Sequence, residues 1–129
     1  MSRIAYCNGR WLPIGAPAVP VEDRGLQFAD AVYEVVKAVD GRPRDLDRHL
    51  DRLDRSLAQL RLAWPMSRRA LTAVIEAGLA RSALRDVAIY LQVGRGVAPR
   101  SHPFPPRARP GLIVTFRRAH FPGRRELEQ

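Results

Sequence analysis

Five leucines spaced alternately four and three residues apart constrain the fold of this chain more than any other feature. They are Leu46, Leu50, Leu53, Leu57 and Leu60. Because an α-helix turns once every 3.6 residues, this spacing places all five side chains on one stripe. A stripe of five leucines is stable only when it is buried away from water. The sequence therefore predicts an amphipathic helix, starting near residue 45, that packs against another element.

A second helical pattern follows a break at Trp64-Pro65. Ser67 is a favourable N-cap, and the small or apolar positions after it recur at the spacing of a core-facing helix. These positions are Leu71, Val74, Ile75, Gly78 and Leu79. The sequence thus predicts two consecutive helices in the middle of the chain.

Two hairpins are predicted before the helices. Residues 4–12 contain two short apolar runs around Asn8-Gly9, a dipeptide that favours a tight hairpin turn. Residues 32–39 are rich in β-branched side chains and lead into Asp40-Gly41, a second turn of this kind. We expect the returning strand at about residues 43–46.

Two more strands are predicted after the helices, at residues 87–93 and 111–116. Strands and helices in separate runs indicate an α+β domain with a largely antiparallel sheet and two helices packed on one face. We assign this domain to residues 1–116. Residues 117–129 have few apolar side chains, and we interpret them as a linker or tail.

The balance of residue types is typical of a globular protein, with 46% hydrophobic and 27% charged residues. No apolar run approaches the length of a membrane span, and the N-terminus lacks the apolar core of a signal peptide. We therefore expect a cytoplasmic protein. Cys7 is the only cysteine, which excludes an internal disulfide and a cysteine-built metal site. We find no other metal-ligand pattern.

A formal net charge of +9 would suit a nucleic-acid partner, because clustered cations bind phosphate backbones. The arginines, however, are spread from Arg3 to Arg125 among nearby acids, and Lys37 is the only lysine among 22 basic residues. We do not expect nucleic-acid binding. A basic nucleic-acid or partner-binding module stays open as an alternative.

A loop with two cations follows the strand at residues 87–93. Arg100 and His102 are two residues apart, and side chains at this spacing in an extended segment project to the same side. Arginine offers a flat fork that matches a carboxylate, and histidine adds a donor near neutral pH. The pair suits a small anion, and a solvated basic loop is the alternative.

Two further groups of polar side chains are candidates for a binding site. Alternation along the strand at residues 32–39 places Tyr33, Val35 and Lys37 on one face, which suits either a pocket wall or a half-solvated surface. On the first helix, His49 and Arg52 share a flank beside the leucine stripe. They can meet one anion there, although a surface ion pair is the simpler interpretation for Arg52 alone.

Four segments together resemble a known family. They are DRGLQFADAVYEVV at residues 23–36, HLDRL at 49–53, YLQV at 90–93 and RGVAPRSH at 95–102. In this order they resemble the N-terminal domain of D-amino-acid (D-alanine) aminotransferases, which are fold-type IV pyridoxal-phosphate enzymes. The pattern Arg-Gly-x-x-x-Arg-x-His separates this family from branched-chain aminotransferases and aminodeoxychorismate lyases of the same fold.

The resemblance implies roles for the candidate residues. Tyr33, Arg100 and His102 would bind the α-carboxylate of a D-amino acid or 2-oxo acid, the last two serving the neighbouring subunit of a homodimer. Val35 and Lys37 would line the pocket for the substrate side chain. The cofactor is pyridoxal 5'-phosphate; its phosphate ligand would be Arg52, with His49 in support.

The resemblance also implies that essential groups lie elsewhere. In the family, the Schiff-base lysine and the acid that pairs with the pyridine nitrogen belong to the C-terminal domain. Lys37 matches the pocket wall and not the catalyst, so the chain is expected to be a truncated half that is inactive alone. Other class IV enzymes, a branched-chain aminotransferase or an aminodeoxychorismate lyase, are the alternatives within the fold.

Overall fold

The structure is a computed structural model that describes residues 3–16, 19–105 and 108–121. Its elements are β1 (Ile4–Cys7), β2 (Arg10–Pro13), α1 (Arg24–Phe28), β3 (Ala31–Val39), β4 (Arg42–Pro43), α2 (Leu46–Gln59), α3 (Arg68–Ser82), β5 (Val87–Gly94) and β6 (Gly111–Arg118). Within the described ranges the strands form one antiparallel sheet in the order β2-β1-β6-β5-β3-β4. The predicted α+β fold is confirmed.

The core lies between the sheet and the two longer helices. Leu50, Leu53 and Leu57 of α2 are fully buried against the same apolar cluster as the inward side chains of β5, such as Ile89 and Leu91. The core-facing side chains of α3 join this cluster, so both helices cover one face, as predicted. Burying a side chain of this kind contributes about 1.5–3 kcal/mol. The leucine stripe therefore fixes which side of α2 faces the sheet.

Helix α1 is a third helix that the sequence analysis did not find. It has five residues, which is too short for a 3.6-residue period to appear. Its ends define it: the side chain of Asp23 accepts a hydrogen bond from the Gly25 amide, and Ala29 ends the helix in the left-handed conformation. An isolated bridge between Asp23 and Val97 ties its start to the loop after β5.

Two strand ends differ from the prediction. The returning strand of the second hairpin, expected at residues 43–46, is only β4, because Asp45 adopts a positive φ of 53° and α2 begins at the next residue. Strand β6 continues beyond the expected end at Phe116, and Arg118 still pairs with Val87. The first residues assigned to the linker therefore belong to the sheet, and residues 122–129 lie outside the described residues.

The face of the sheet opposite the helices is open. Along β3, Glu34, Val36 and Ala38 are buried, whereas Tyr33 and Lys37 are exposed, so the predicted alternation is observed. In the described parts of the chain, no helix has the length and apolar character needed to cross a membrane.

Candidate functional site

The open face of the sheet carries the row of Tyr33, Val35 and Lys37. Tyr33 is 64% exposed, and its ring stacks on that of Tyr90 in β5 with centroids 5.7 Å apart. The Tyr90 hydroxyl donates a 2.8 Å hydrogen bond to Oε1 of Gln92. The row thus has an aromatic platform with polar groups at its edge, which a pocket wall for a small polar ligand requires.

Lys37 ends this row beside an aromatic ring. Its ammonium lies 4.4 Å from the centre of the Phe121 ring, within the range of a cation–π interaction. The side chain is therefore held at the surface of the sheet by a residue that follows β6. Its role in a substrate pocket stays a prediction.

On the other side of β3, Glu34 brings the two helix residues His49 and Arg52 together. The carboxylate of Glu34 is only 4% exposed. Nε and Nη2 of Arg52 each donate to one of its oxygens at 2.8 Å, and Nδ1 of His49 lies 2.7 Å from Oε1. Two contacts in a fork geometry fix the plane of the guanidinium. Glu34 therefore orients both residues that were predicted to meet one anion.

Glu34 is a residue that the sequence analysis did not identify. A signal existed, because Glu34 alternates with the core residues Val36 and Ala38, and a buried carboxylate needs a charged partner. The partners come from the next helix along the chain, on the flank beside the leucine stripe. The spacing alone could not show that β3 and α2 meet at this point.

The electrostatics of this cluster favour charged groups. Burial alone would raise the pKa of Glu34, but the hydrogen bonds from Arg52 and His49 outweigh it and hold the pKa below its ordinary value. Conversely, the hydrogen bond to Glu34 raises the pKa of Arg52. The guanidinium is therefore charged at neutral pH.

Replacing Glu34 with glutamine is expected to lower the free energy of unfolding by about 1–3 kcal/mol at neutral pH, because Arg52 and His49 lose a charged acceptor with two oxygens and meet a neutral amide instead. The folded pKa of Glu34 lies below the ordinary value of 4.5, so the wild type keeps this contribution above that pH and loses it as the pH falls through the folded pKa. Urea unfolding at several pH values gives the free energy of unfolding of the wild type and of the variant. Their difference should shrink on acidification, and a difference that grows would contradict the assignment.

A cationic cavity of about 370 Å³ opens beside this cluster. Its lining residues are Asp45, Arg48, His49, Asp51, Arg52 and Arg55. Three guanidiniums face two carboxylates there, which leaves the cavity with an excess of positive charge. Such a cavity suits an anion with several oxygens more than it suits an apolar ligand.

Arg100 and His102 lie in the loop after β5 and share one aromatic support. The His102 ring meets the Phe28 ring edge-on with centroids 5.3 Å apart, and the Arg100 guanidinium lies 5.4 Å from the centre of the same ring. Both side chains are exposed. In the described part of this chain, Tyr33 makes its ring contact with Tyr90 and none with this pair. One chain thus brings the two loop cations together but not all three predicted carboxylate ligands.

Buried ion pairs lie beneath this loop. Nε of Arg24 and Nε of Arg95 both donate to Oδ2 of Asp30 at 2.8 Å, and all three side chains are less than 10% exposed. Burial alone would raise the pKa of Asp30, but the hydrogen bonds from Arg95 and Arg24 lower it. These three residues were not identified as a group, because Arg95 is 65 residues from Asp30 in sequence.

Residues 31–128 match the family described as amino-transferase class IV. The chain belongs to the class IV aminotransferase family. This match covers most of the chain, including β3, the cluster at α2 and the loop with Arg100 and His102.

The chain is similar to one curated protein and two solved structures of related fold. A D-alanine aminotransferase of Staphylococcus haemolyticus is 33% identical over 116 residues, which is 89% of this chain and 41% of that protein. A 4-amino-4-deoxychorismate lyase of Pseudomonas aeruginosa has a TM-score of 0.73 and 31% identity, with 88% of this chain and 39% of that chain covered. A branched-chain amino acid aminotransferase of Escherichia coli shares the fold, with a TM-score of 0.83, 17% identity and coverage of 92% and 40%. This chain therefore spans about two fifths of the length of such relatives.

Class IV aminotransferases use pyridoxal phosphate, and the donors beside α2 fit its phosphate group. Among the described residues, Glu34 accepts from Nε and Nη2 of Arg52 and lies 2.7 Å from Nδ1 of His49, which leaves Nη1 of Arg52 as a donor for a ligand. Nε2 of His49 can also donate when the imidazole carries a proton on both nitrogens. Both residues line the cationic cavity. A phosphate dianion bound there would receive a charge-assisted hydrogen bond from the Arg52 guanidinium, which Glu34 already orients.

Proposed function

We propose that this class IV aminotransferase chain supplies the N-terminal half of a pyridoxal-phosphate-dependent D-amino-acid transaminase, of the D-alanine:2-oxoglutarate type. The observation that carries the proposal is the placement of Arg100 and His102 on one aromatic ring, in the pattern Arg-Gly-x-x-x-Arg-x-His. A guanidinium and an imidazole held side by side suit an α-carboxylate, which a D-amino acid and a 2-oxo acid share.

Each candidate residue has a binding or orienting task in this proposal. Arg52 and His49 hold the cofactor phosphate, and the bound cofactor supplies the electron sink. Arg100 and His102 bind the substrate carboxylate with the hydroxyl of Tyr33. Fixing the carboxylate decides which face of the substrate Cα is presented, and this selects one enantiomer.

Val35 and Lys37 line the space beside Tyr33 on the same open face. Lys37 is the only lysine of the chain and lies over Phe121 at the end of the row, so we place it in the pocket wall and not at the reacting atoms. The lysine that moves the proton then comes from a C-terminal domain, and the chain by itself is inactive.

The proposed enzyme is a homodimer. Tyr33 lies on the open face of the sheet, whereas Arg100 and His102 rest on Phe28 in the loop after β5. A site that uses all three residues is completed when the Arg100 and His102 of one protomer approach Tyr33 of the partner subunit. Each protomer then contributes to two sites.

A lyase acting on 4-amino-4-deoxychorismate is the second candidate. It is favoured by the 31% identity to the Pseudomonas aeruginosa enzyme, which is comparable with the identity to the Staphylococcus haemolyticus aminotransferase. The two activities differ in the bond broken at the substrate, and a product assay separates them.

A hybrid enzyme tests the proposed function. Residues 1–118 of this chain replace the matching part of the Staphylococcus haemolyticus D-alanine aminotransferase, and initial rates are measured with D-alanine and 2-oxoglutarate. We expect D-alanine transamination. In the hybrid, Arg100→Ala should lower kcat/KM by about tenfold or more, because a charge-assisted hydrogen bond contributes about 1.5–3 kcal/mol.

The matched control is Arg85→Ala, which removes an exposed guanidinium that pairs with the exposed side chain of Asp40. It should leave kcat/KM unchanged. Equal losses in the two variants would contradict the carboxylate role of Arg100. Release of 4-aminobenzoate from 4-amino-4-deoxychorismate, without transamination, would favour the lyase.

A further inference from the structure

The backbone of the loop that carries Arg100 and His102 is hydrogen-bonded to the buried side chain of Arg24. Nη1 of Arg24 donates to the carbonyl oxygen of Ser101, and Nη2 donates to that of His102 at 3.3 Å. Nε of the same guanidinium donates to Oδ2 of Asp30 at 2.8 Å. Each of the three nitrogen atoms of this guanidinium thus makes a hydrogen bond. Two of these bonds go to the backbone of the loop, at Ser101 and at His102.

A second guanidinium connects this arrangement to α2. Nε of Arg95 donates to the same oxygen of Asp30, while Nη1 and Nη2 donate to the carbonyl oxygens of Arg61 at 3.2 Å and Leu60 at 2.5 Å. These carbonyls lie just past the C-terminus of α2, where free carbonyl oxygens favour a cation. The helix that carries the candidate phosphate ligands is therefore tied to the loop through one carboxylate.

We infer that Asp30, Arg24 and Arg95 are positioning residues that hold the loop cations at a fixed place relative to helix α2. The inference rests on the proposed function, in which the loop cations of one protomer bind the substrate carboxylate in the site of the partner subunit. A loop fixed on its own domain presents both cations to that site in one arrangement. None of the three touches the substrate in this account. They act through the backbone of residues 101 and 102 and through the end of α2.

Phe28 completes the support from the side of α1. Its ring is contacted by the guanidinium of Arg24 at 4.6 Å, by that of Arg100 at 5.4 Å and by the edge of the His102 ring. Arg24 therefore fixes both the backbone of the loop and the ring on which its side chains rest. Lysine cannot replace it, because an ammonium group lacks the planar fork that reaches three acceptors.

The test is the Arg24→Lys variant of the whole 129-residue chain, labelled with ¹⁵N. Backbone order parameters at Arg100, Ser101 and His102 are measured together with nuclear Overhauser contacts between the rings of His102 and Phe28. In the wild type we expect order parameters of about 0.8, near the value for rigid backbone. In Arg24→Lys they should fall below about 0.6 and the ring contacts should disappear, while the amides of β5 keep their wild-type values.

Arg68→Lys is the matched control. Arg68 also bridges a side chain and a backbone carbonyl, those of Asp51 and Asp47, but it lies on the helices away from the loop. This variant should leave the order parameters of the loop unchanged. Order parameters that fall equally in the loop and in β5 would show a general loss of structure and overturn the inference.

The wild type alone also decides the matter if the lysine variant does not fold. Order parameters below about 0.6 at Ser101 and His102 in the wild type would overturn the inference whatever the variants do. The proposed function is judged separately, by the hybrid enzyme. A rigid loop in a hybrid that does not transaminate would contradict the proposed function and support the positioning role. A mobile loop in a fully active hybrid would support the proposed function and contradict the positioning role.

Discussion

Replacing Asp30 with alanine is expected to lower the free energy of unfolding by about 3–5 kcal/mol, because removing one partner of a buried ion pair leaves uncompensated charge. Here two guanidiniums, on Arg24 and Arg95, would share the loss, and both are nearly inaccessible to water. Urea or thermal unfolding followed by circular dichroism measures the change. An effect of this size is a large share of the stability of a small domain.

The matched control is Asp51→Ala. Asp51 also pairs with an arginine at 2.7 Å, but this pair is exposed to solvent, and exposed pairs contribute at most about 1 kcal/mol. The Asp30→Asn variant, which keeps the shape and one acceptor oxygen, should fall between the two. A loss at Asp30 no larger than that at Asp51 would show that water reaches the buried arginines.

Replacing Gly96 with alanine should cost at least about 2 kcal/mol of unfolding free energy, for two reasons that add. Its φ of +101° is a conformation that residues with a side chain rarely adopt, and an added Cβ would overlap the carbonyl oxygen of Arg109. The new Cβ and the carbonyl oxygen of Arg109 are both fixed to the backbone, so the backbone itself must move. The carbonyl of Gly96 also accepts from the amide of Arg24, so the movement would reach the loop support.

Gly9→Ala separates the two reasons. Gly9 has a similar φ of +91°, but an added Cβ there would meet nothing within 4 Å. This variant should show only the backbone cost, and Gly96→Ala should lose clearly more in the same unfolding experiment. Equal losses of unfolding free energy would mean that the backbone moves away from the Arg109 carbonyl without a measurable cost. The glycine of the Arg-Gly-x-x-x-Arg-x-His pattern is thus explained by space as well as by conformation.

Local signals in the sequence were sufficient for the main elements of the fold. The leucine stripe predicts α2 because its period is sustained over four turns, and Ser67 caps α3 as expected, accepting from the Ala70 amide. Asn8-Gly9 makes the first turn with both residues at positive φ. These features depend on residues that are close in sequence, so periodicity and turn chemistry are enough to predict them.

The parts that could not be predicted depend on partners far away in the chain. Glu34 is explained only by the helix that packs over it, and Asp30 only by arginines that α1 and β5 bring to the same oxygen. Charged residues are common in this sequence, so their type alone does not tell which of them are buried. The sequence indicated the pair Arg100 and His102, but not the side chain that supports them.

The position of β6 has a consequence for how the chain acquires its structure. Strand β6 lies between β1 and β5, so the first strand of the chain pairs with one of the last, for example Ala5 with Thr115. The N-terminal hairpin has no other neighbour in the sheet. During synthesis it must therefore wait, with one edge unpaired, until residues 111–118 have left the ribosome. Pairing between strands so far apart in the sequence is slow, and an edge of β1 that stays unpaired meanwhile can pair with another chain and promote aggregation.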